Sequence, residues 1–355
     1  MKKNIAISLI LGIALSAVTL YLAFRNVPFA DLVHYLTSIN YLWVIPSILL
    51  SIISFMLRAL RWQIIMESVK KIGFWRLFHP MMIGFMVNCV LPGRVGEVAR
   101  PAILKKNDNV PFTTGLATVV AERVFDVSLI LGLFAAVFAT VSIDPSLNMT
   151  FADHHLNKET LETISNGMVK ICVVIIAGMF AVSIASTRKI INNVIMGIPS
   201  LFFFISSHAR ETLRERVFGH LVHAIENIST GFSLIRYPKK LTICFGLSFF
   251  IWVLQGFSYY VMSLGCPGIG LSFYELFAVM IIICFFIALP SVPGFWGLWE
   301  AGGVFALSLF GVSTRDAAGF TLANHAIQVF PVIIIGIVSA VITGINIWQI
   351  SYGEK

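Results

Sequence analysis

Apolar runs of helical length recur along the whole chain, and short connections between them carry most of the charge. The runs cover residues 5–24, 41–57, 77–92, 127–143, 171–187, 241–264, 274–289, 298–311 and 327–350. A helix needs about 20 apolar residues to cross the hydrocarbon core of a bilayer. Charged residues make up only 12% of the 355 residues, against roughly 25% in a soluble domain. We therefore predict an all-α polytopic integral membrane protein, with one domain over residues 1–355.

The distribution of basic residues predicts how the chain is oriented. Cytoplasmic loops of membrane proteins are enriched in lysine and arginine. The stretches 58–76, 93–118 and 188–240 are basic, whereas 144–166 is acidic. These patterns favour a cytoplasmic N-terminus, and the run 5–24 is long enough to be a retained first helix. The net charge of +8 lies in these loops, so we expect no nucleic-acid partner.

Two of the apolar runs are too short to span a bilayer and end at a Pro/Gly break. Residues 77–92 lie between two basic stretches, so we predict a re-entrant hairpin at about 77–118. Residues 274–289 precede a second break, and we predict a second hairpin at about 274–311. About six spanning helices then remain. The breaks read Pro92 to Glu97 (PGRVGE) and Pro293 to Glu300 (PGFWGLWE), both PGxxG followed by a glutamate, which indicates a possible inverted repeat.

A cytoplasmic segment at about 190–240 is amphipathic. Apolar residues recur there at intervals of three and four from Leu213 to Ile235. This spacing is typical of a helix on the inner membrane surface, and equally of a helix that braces the bundle from below.

The breaks and the charges beside them form the candidate site. Backbone that leaves a helix at membrane depth must be buried in protein or line an aqueous cavity. Arginine binds a lipid phosphate through paired charge-assisted hydrogen bonds, and glycine lets backbone N–H groups approach the same phosphate. A structural ion-pair network is the alternative. The candidate substrate-binding residues are Asn88, Gly93, Arg94, Gly96, Glu97, Arg100, Glu122, Arg123, Asp126, Gly294, Gly297 and Glu300.

Glu300 has no basic neighbour in the sequence before Arg315. We expect it to pair with an arginine of the first half, to carry a proton, or to lie at the membrane interface. Asn324 and His325 interrupt an apolar stretch and are expected to line a cavity or to form a satisfied buried pair. The histidines and cysteines show no metal-ligand spacing, and no nucleotide motif occurs, so we expect neither a metal nor a cofactor.

The motifs PGRVGE with Arg100, AERVFD at 121–126 and PGFWGLWE together resemble the flippase-like transmembrane region of lysylphosphatidylglycerol synthases and its free-standing relatives. The resemblance extends over nearly the whole chain. Since the free-standing relatives are bacterial and archaeal, it implies location in the cytoplasmic membrane of a prokaryote. Phe295 and Trp296 stand where relatives often carry small residues, which is expected to change the shape of the cavity.

The resemblance implies a helical domain with re-entrant hairpins that moves an anionic or modified phospholipid, or a lipid-linked substrate, between leaflets. Full-length synthases carry a soluble aminoacyl-transferase domain after this region, whereas this chain ends at Lys355. We therefore expect a transporter rather than an enzyme, with a separately encoded lipid-modifying enzyme as a possible partner. A lipid-modifying membrane enzyme and a scaffold for such an enzyme stay open, and the sequence does not give the oligomeric state.

Overall fold

A computed structural model gives the fold. It describes residues 14, 16–21, 23–25, 27–91, 94–140, 149–151, 154–156, 167, 170, 173–174, 177–178, 181, 184–201, 211–219, 221–222, 225–226, 237–288 and 293–345. The acidic loop 144–166 falls largely outside these residues. The runs 5–24 and 171–187 and the amphipathic segment 190–240 fall partly outside them, and Gly93 is not among them.

Helices dominate the described part of the chain. The first half contains α1 (Phe29–Ser38), α2 (Val44–Met66), α3 (Phe74–Val90), α4 (Val95–Asp108) and α5 (Phe112–Thr140), with a 3-10 turn at Tyr41–Trp43 before α2. Two short antiparallel strands follow, β1 (Met149–Phe151) and β2 (His154–Leu156). The next elements are α6 (Ala185–Gly197), a 3-10 turn at Ile198–Leu201 and a π-helical turn at Arg214–Phe218. The second half contains α7 (Pro238–Ser263), α8 (Phe273–Ala288), a 3-10 turn at Pro293–Phe295, α9 (Leu298–Ser308) and α10 (Thr314–Thr343).

Three of the described helices are long and apolar enough to cross a membrane. They are Tyr41–Met66, Pro238–Ser263 and Thr314–Thr343, with 26, 26 and 30 residues. At 1.5 Å per residue, each exceeds the roughly 30 Å of a hydrocarbon core. The prediction of a helical, multi-pass integral membrane protein is confirmed in this form, while the number of six spans stays a prediction.

The predicted end of the second apolar run was wrong. We placed Arg58 and Arg61 in a cytoplasmic loop, yet α2 continues to Met66 and buries both side chains. The physical reason is a polar stripe at helical spacing: Ser47, Ser51 and Ser54 precede the two arginines on the same buried face. Polar residues that face the bundle interior interrupt an apolar run without interrupting the helix.

The same effect lengthens two other helices at their N-termini. The run 127–143 belongs to α5, which begins at Phe112, so the end of the predicted hairpin 77–118 lies inside this helix. The run 327–350 belongs to α10, which begins at Thr314, where the Ser313 hydroxyl accepts the backbone N–H of Asp316 as an N-cap.

The helices follow one another in two similar groups. In each group, two short helices joined by a Pro/Gly break precede a long helix: α3, α4 and α5 in the first, α8, α9 and α10 in the second. α3 packs on α4 and on α10, α8 packs on α9, and α2 packs on α7. The order matches the arrangement expected of a repeat. Whether the two short pairs re-enter the membrane or cross it stays a prediction.

Close packing of α3 on α4 depends on two glycines. Gly84 and Gly96 face each other, and a Cβ atom added to Gly96 would collide with the carbonyl oxygen of Gly84. The side-chain carbonyl of Asn88 accepts the backbone N–H of Gly96 at 2.8 Å and so satisfies a free donor at the start of α4. These contacts fix the position of the first break.

Candidate functional site

Each break contacts a helix that flanks the other break. The Arg94 guanidinium in the first break donates to the backbone carbonyl of Ile287, at the end of α8, at 2.9 Å. The 3-10 turn Pro293–Phe295 in turn packs against α3. The ends of the two short-helix pairs therefore form one junction, as their similar sequences suggest.

Both breaks place a bulky residue in the left-handed backbone region. Arg94 has φ 55° and Phe295 has φ 62°, and each is the third residue of its PGx sequence. This region costs a residue with a Cβ roughly 1–2 kcal/mol, which is why glycine is usual there. Backbone strain of this kind concentrates at functional sites. Each break therefore holds a large side chain in place at a cost in backbone stability.

A cavity of about 220 Å³ opens at the junction. Its walls come from α2, α3, α5, α7, α8, α10 and both breaks. The lining residues are Phe55, Arg58, Phe85, Asn88, Cys89, Arg94, Glu97, Arg123, Trp252, Gln255, Tyr259, Met280, Cys284, Ile287, Phe295, Trp299, Gln328, Val329 and Val332. Both left-handed residues, Arg94 and Phe295, are among them.

The charged side chains that line the cavity are mostly arginines. Arg58, Arg94 and Arg123 face a single carboxylate, Glu97. The ion pair between Arg123 Nε and Glu97 Oε1 is long, at 4.0 Å. The cavity wall therefore carries excess positive charge.

Several donors at the cavity have no hydrogen-bond acceptor among the residues that the structure describes. They are Arg58 Nε, Arg123 Nε and the indole Nε1 of Trp299, all buried. Buried polar groups in proteins are nearly always hydrogen-bonded. An acceptor-rich ligand in the cavity could satisfy them.

A second layer of charges lies behind the cavity, and each of its arginines is paired with a carboxylate, although the Nε atoms of Arg61 and Arg100 have no acceptor among the described residues. Arg61 donates to both carboxylate oxygens of Asp126, at 2.7 and 3.1 Å, and to the Ser248 hydroxyl at 2.7 Å. Arg100 pairs with Glu122, and its guanidinium lies 4.0 Å from the ring centre of Trp62. These side chains are almost completely buried. Their geometry is that of a structural ion-pair network.

Asp126 links this paired layer to the cavity. Besides Arg61, it contacts Arg58 at 3.6 Å and Arg123 at 3.4 Å, and it accepts the indole N–H of Trp252 at 3.3 Å. Arg58 also lies 5.0 Å from the ring centre of Trp252. The carboxylate thus orients two of the three cavity arginines.

One wall of the cavity is uncharged and polar. The Gln328 side-chain carbonyl accepts from Ser51 at 3.0 Å and from Gln255 at 2.7 Å. Gln328 also donates to Ser258, and Gln255 accepts from Ser54. These bonds tie α2, α7 and α10 together and hold two amides in fixed positions at the cavity.

Glu300 pairs with His325 rather than with an arginine of the first half, so that alternative was wrong. Glu300 Oε1 lies within hydrogen-bond distance of His325 Nδ1, and both side chains are completely buried. Glu300 Oε2 accepts the backbone N–H of Gly297, and the other ring nitrogen of His325 contacts the carbonyl of Gly294. The two glycines of the second break are therefore held by this pair.

The predicted site residues fall into three groups. Asn88, Arg94, Glu97 and Arg123 line the cavity. Arg100, Glu122 and Asp126 form the paired layer behind it, together with Arg61. The remaining residues belong to the breaks: Gly96 packs on Gly84, and Gly294, Gly297 and Glu300 form the second break.

Sequence reasoning missed several cavity residues. Arg58, Gln255 and Gln328 are polar side chains inside apolar helices, and Trp252 and Tyr259 are aromatic residues in an apolar run. The serine stripe that leads to Arg58 at intervals of three and four residues would have revealed the first. Within the described part of the chain, no group of three or more His, Cys, Asp and Glu side chains could hold a metal ion.

Comparison with known proteins agrees with this architecture. The profile of the family described as "Lysylphosphatidylglycerol synthase TM region" matches residues 9–336. A UPF0104 membrane protein of Methanocaldococcus jannaschii is 24% identical over 272 residues, covering 76% of this chain and 99% of the relative. A second UPF0104 membrane protein, of Methanothermobacter thermautotrophicus, is 24% identical over 349 residues, covering 95% of this chain and 93% of the relative.

A third relative is the glycosyltransferase AglD of Haloferax volcanii, which is 23% identical over 344 residues. The match covers 91% of this chain and 52% of AglD, so the chain spans about half the length of that protein. The match to the family profile covers most of the sequence, including both breaks and the long helices that follow them. The chain belongs to the lysylphosphatidylglycerol synthase transmembrane-region family.

Proposed function

We propose that this protein moves a lipid with an anionic headgroup, or a lipid-linked substrate, between the leaflets of a prokaryotic cytoplasmic membrane. The observation that carries the proposal is the cavity between the two breaks, where three arginines face one carboxylate. Substrate sites of repeat-built transporters lie at such paired interruptions of helices.

The chemistry of the cavity suits a phosphate. Arginine stays protonated and presents a planar set of donors that matches phosphate oxygens. Arg58 and Arg123 each have a buried Nε–H without an acceptor among the described residues, and Trp299 adds a third donor. A phosphate would both neutralise the excess charge and accept these hydrogen bonds.

The apolar part of the wall suits a lipid rather than a free soluble anion. Phe55, Phe85, Phe295, Val329 and Val332 line the same cavity as the arginines. Ligand sites combine an apolar lining with a few polar groups that set orientation. The fixed amides of Gln255 and Gln328 add hydrogen-bonding positions for the rest of a headgroup.

We further propose that this chain does no chemistry on its substrate. The AglD match covers only half of that protein, so the word glycosyltransferase in its name describes a longer polypeptide. A lipid-modifying enzyme encoded elsewhere is then the partner that this proposal expects. Lipid extracts from a deletion strain separate the two activities: a transporter changes leaflet exposure, whereas an enzyme changes which lipid species are present.

Transport is tested with purified protein in liposomes that contain headgroup-labelled phospholipids. The sharpest variant is Arg94→Gly, because glycine relieves the left-handed strain and removes only the side chain. Asn109→Gly is its matched control: Asn109 has φ 51°, lies at the other end of α4 and is exposed. Arg94→Gly removes charge-assisted hydrogen bonds that stabilise a bound phosphate by about 1.5–3 kcal/mol. We therefore expect this variant to move anionic lipids roughly tenfold more slowly, or slower still.

Asn109→Gly should transport like wild type. Glu97→Gln tests the single cavity carboxylate in the same assay, and we expect its rate to change while the protein remains folded in the membrane. Wild-type rates in Arg94→Gly would contradict a phosphate site at this cavity. Equal rates for anionic and zwitterionic phospholipids in the wild type, both of which carry a phosphate, would contradict selection of a net anionic headgroup.

A further inference from the structure

Glu300 and His325 connect the second break to α10. His325 lies in α10, and its two ring nitrogens contact Glu300 Oε1 and the carbonyl oxygen of Gly294. Glu300 lies in the first turn of α9, and its Oε2 accepts the Gly297 N–H at 2.6 Å. Every polar atom of the two side chains therefore has a partner.

The partners fix the number of protons that the pair holds. A backbone carbonyl only accepts, so His325 Nε2 must carry a hydrogen towards Gly294 at 2.8 Å. The contact between His325 Nδ1 and Glu300 Oε1 needs a second hydrogen, which either atom can carry. The pair thus holds one proton more than a neutral imidazole beside a carboxylate, and its net charge is zero.

Loss of that proton would break one of these contacts. The pair would then carry a negative charge at a position with no solvent exposure, which is strongly unfavourable. Either Nδ1 would face the carboxylate without a hydrogen between them, or Nε2 would give up its bond to Gly294. In both cases the second break loses part of what holds it.

Two indole rings flank the imidazole. Trp299 stacks on His325, with ring centres 4.5 Å apart and planes 2° apart, and Trp296 lies at 4.3 Å.

Trp299 also lines the cavity, so one side chain separates the histidine from the ligand position. The titratable and charged groups on the other side of Trp299, contributed by α2, α3, the first break, α4, α5, α7 and α8, are Arg58, Cys89, Arg94, Glu97, Arg123, Tyr259 and Cys284. Arginine, tyrosine and cysteine ordinarily titrate above neutral pH. Of these groups, Glu97 is the one carboxylate.

We infer that Glu300 and His325 form a proton-binding site whose bound proton holds the second break closed, and whose release to water frees Gly294 and Phe295 beside the cavity. The coupling of this proton to lipid movement rests on the proposed function. The proton site itself rests only on the contacts above. A proton gradient across the membrane would then drive or regulate the opening of the cavity.

The proton site is tested on purified protein without any lipid transport. A protonated imidazole quenches a stacked indole more strongly than a neutral one does, so tryptophan fluorescence reports the state of His325. We expect one pH-dependent step in wild type that is absent in Glu300→Gln and His325→Gln. The control is Glu275→Gln, a partly exposed carboxylate at the start of α8 that accepts from Ser272, and this variant should keep the step.

A wild-type titration without a step from acid to alkaline pH would overturn the proton site, whether or not the variants fold. A step that survives unchanged in a folded His325→Gln protein would do the same.

Coupling is tested in proteoliposomes with an imposed pH gradient. We expect the gradient to change the rate of labelled-lipid movement several-fold in wild type and in Glu275→Gln, and not in Glu300→Gln. A wild-type rate that ignores the gradient refutes the coupling while leaving the transport function intact. If wild-type protein moves none of the lipids, the proposed function fails and the fluorescence step alone decides whether the proton site exists.

Discussion

Replacing Arg61 with methionine should destabilise the protein far more than removing an exposed cation that joins the same helices. The Arg61 side chain has 0% exposure, bonds both oxygens of Asp126 and reaches Ser248 on α7. Removing one partner of a buried ion pair costs about 3–5 kcal/mol, because the other charge is left uncompensated. Methionine keeps much of the volume, so little of this loss is a cavity effect.

Lys240→Met is the matched control. Lys240 in the first turn of α7 pairs at 2.8 Å with Glu67, which directly follows α2, and each side chain is 35% exposed. Exposed ion pairs contribute about 0.2–1 kcal/mol. The two variants therefore remove one cation from the same helix pair, one in the interior and one at the surface.

The free energy of unfolding can be measured by titrating the detergent-solubilised protein with sodium dodecyl sulfate and following helical circular dichroism. We expect Arg61→Met to lose at least about 2 kcal/mol more than Lys240→Met. In the double variant Arg61→Met/Asp126→Asn, the losses should fall short of additivity by about 0.5–3 kcal/mol. Equal losses in the two single variants, or strict additivity in the double variant, would refute the assignment of Arg61 to a structural network.

Two further outcomes follow from burial. Gly96→Ala should lower the free energy of unfolding by about 3 kcal/mol or more, because its methyl group meets the backbone of Gly84. Gly132→Ala, on an exposed face of α5, should raise it by up to about 1 kcal/mol, and the same titration measures both. Burial raises the pKa of the Cys266 thiol, between α7 and α8, to about 12, so this thiol stays protonated and unreactive at mildly alkaline pH. Maleimide should therefore label folded wild type and Cys266→Ser equally, and wild type more only after unfolding.

The sequence was sufficient for the class of protein and for the position of both breaks. Apolar runs and Pro/Gly pairs are local features, and the helices that flank Pro92 and Pro293 begin and end close to where these features lie. The predicted helix ends were wrong wherever a polar side chain points into the bundle. Arg58 and Arg61 at one end of α2, and Asn324 and His325 in α10, look like boundaries in the sequence although each lies within a helix.

Partners in the site were harder to predict than its members. Arg123 and Asp126, three residues apart on one helix, pair as expected at 3.4 Å. Arg61 with Asp126 and Glu300 with His325 are joined by tertiary packing, across 65 and 25 residues of chain. No local sequence pattern marks these pairs. The packing of α2 on α5 and of α9 on α10 brings the partners together.

The charge balance of the whole cluster explains why one group of residues can be structural and functional at once. Five arginines (58, 61, 94, 100 and 123) share three carboxylates (Glu97, Glu122 and Asp126). The carboxylates at the back, Glu122 and Asp126, are bound by the deeply buried Arg61 and Arg100.

The unmatched positive charge therefore lies at the front, on the cavity wall. Uncompensated charge within a membrane protein is unfavourable, and a purely structural network gains nothing from it. Two surplus cations beside unsatisfied N–H groups are what a site for a dianionic or phosphate-bearing ligand requires, because the ligand supplies the missing negative charge only while it is bound.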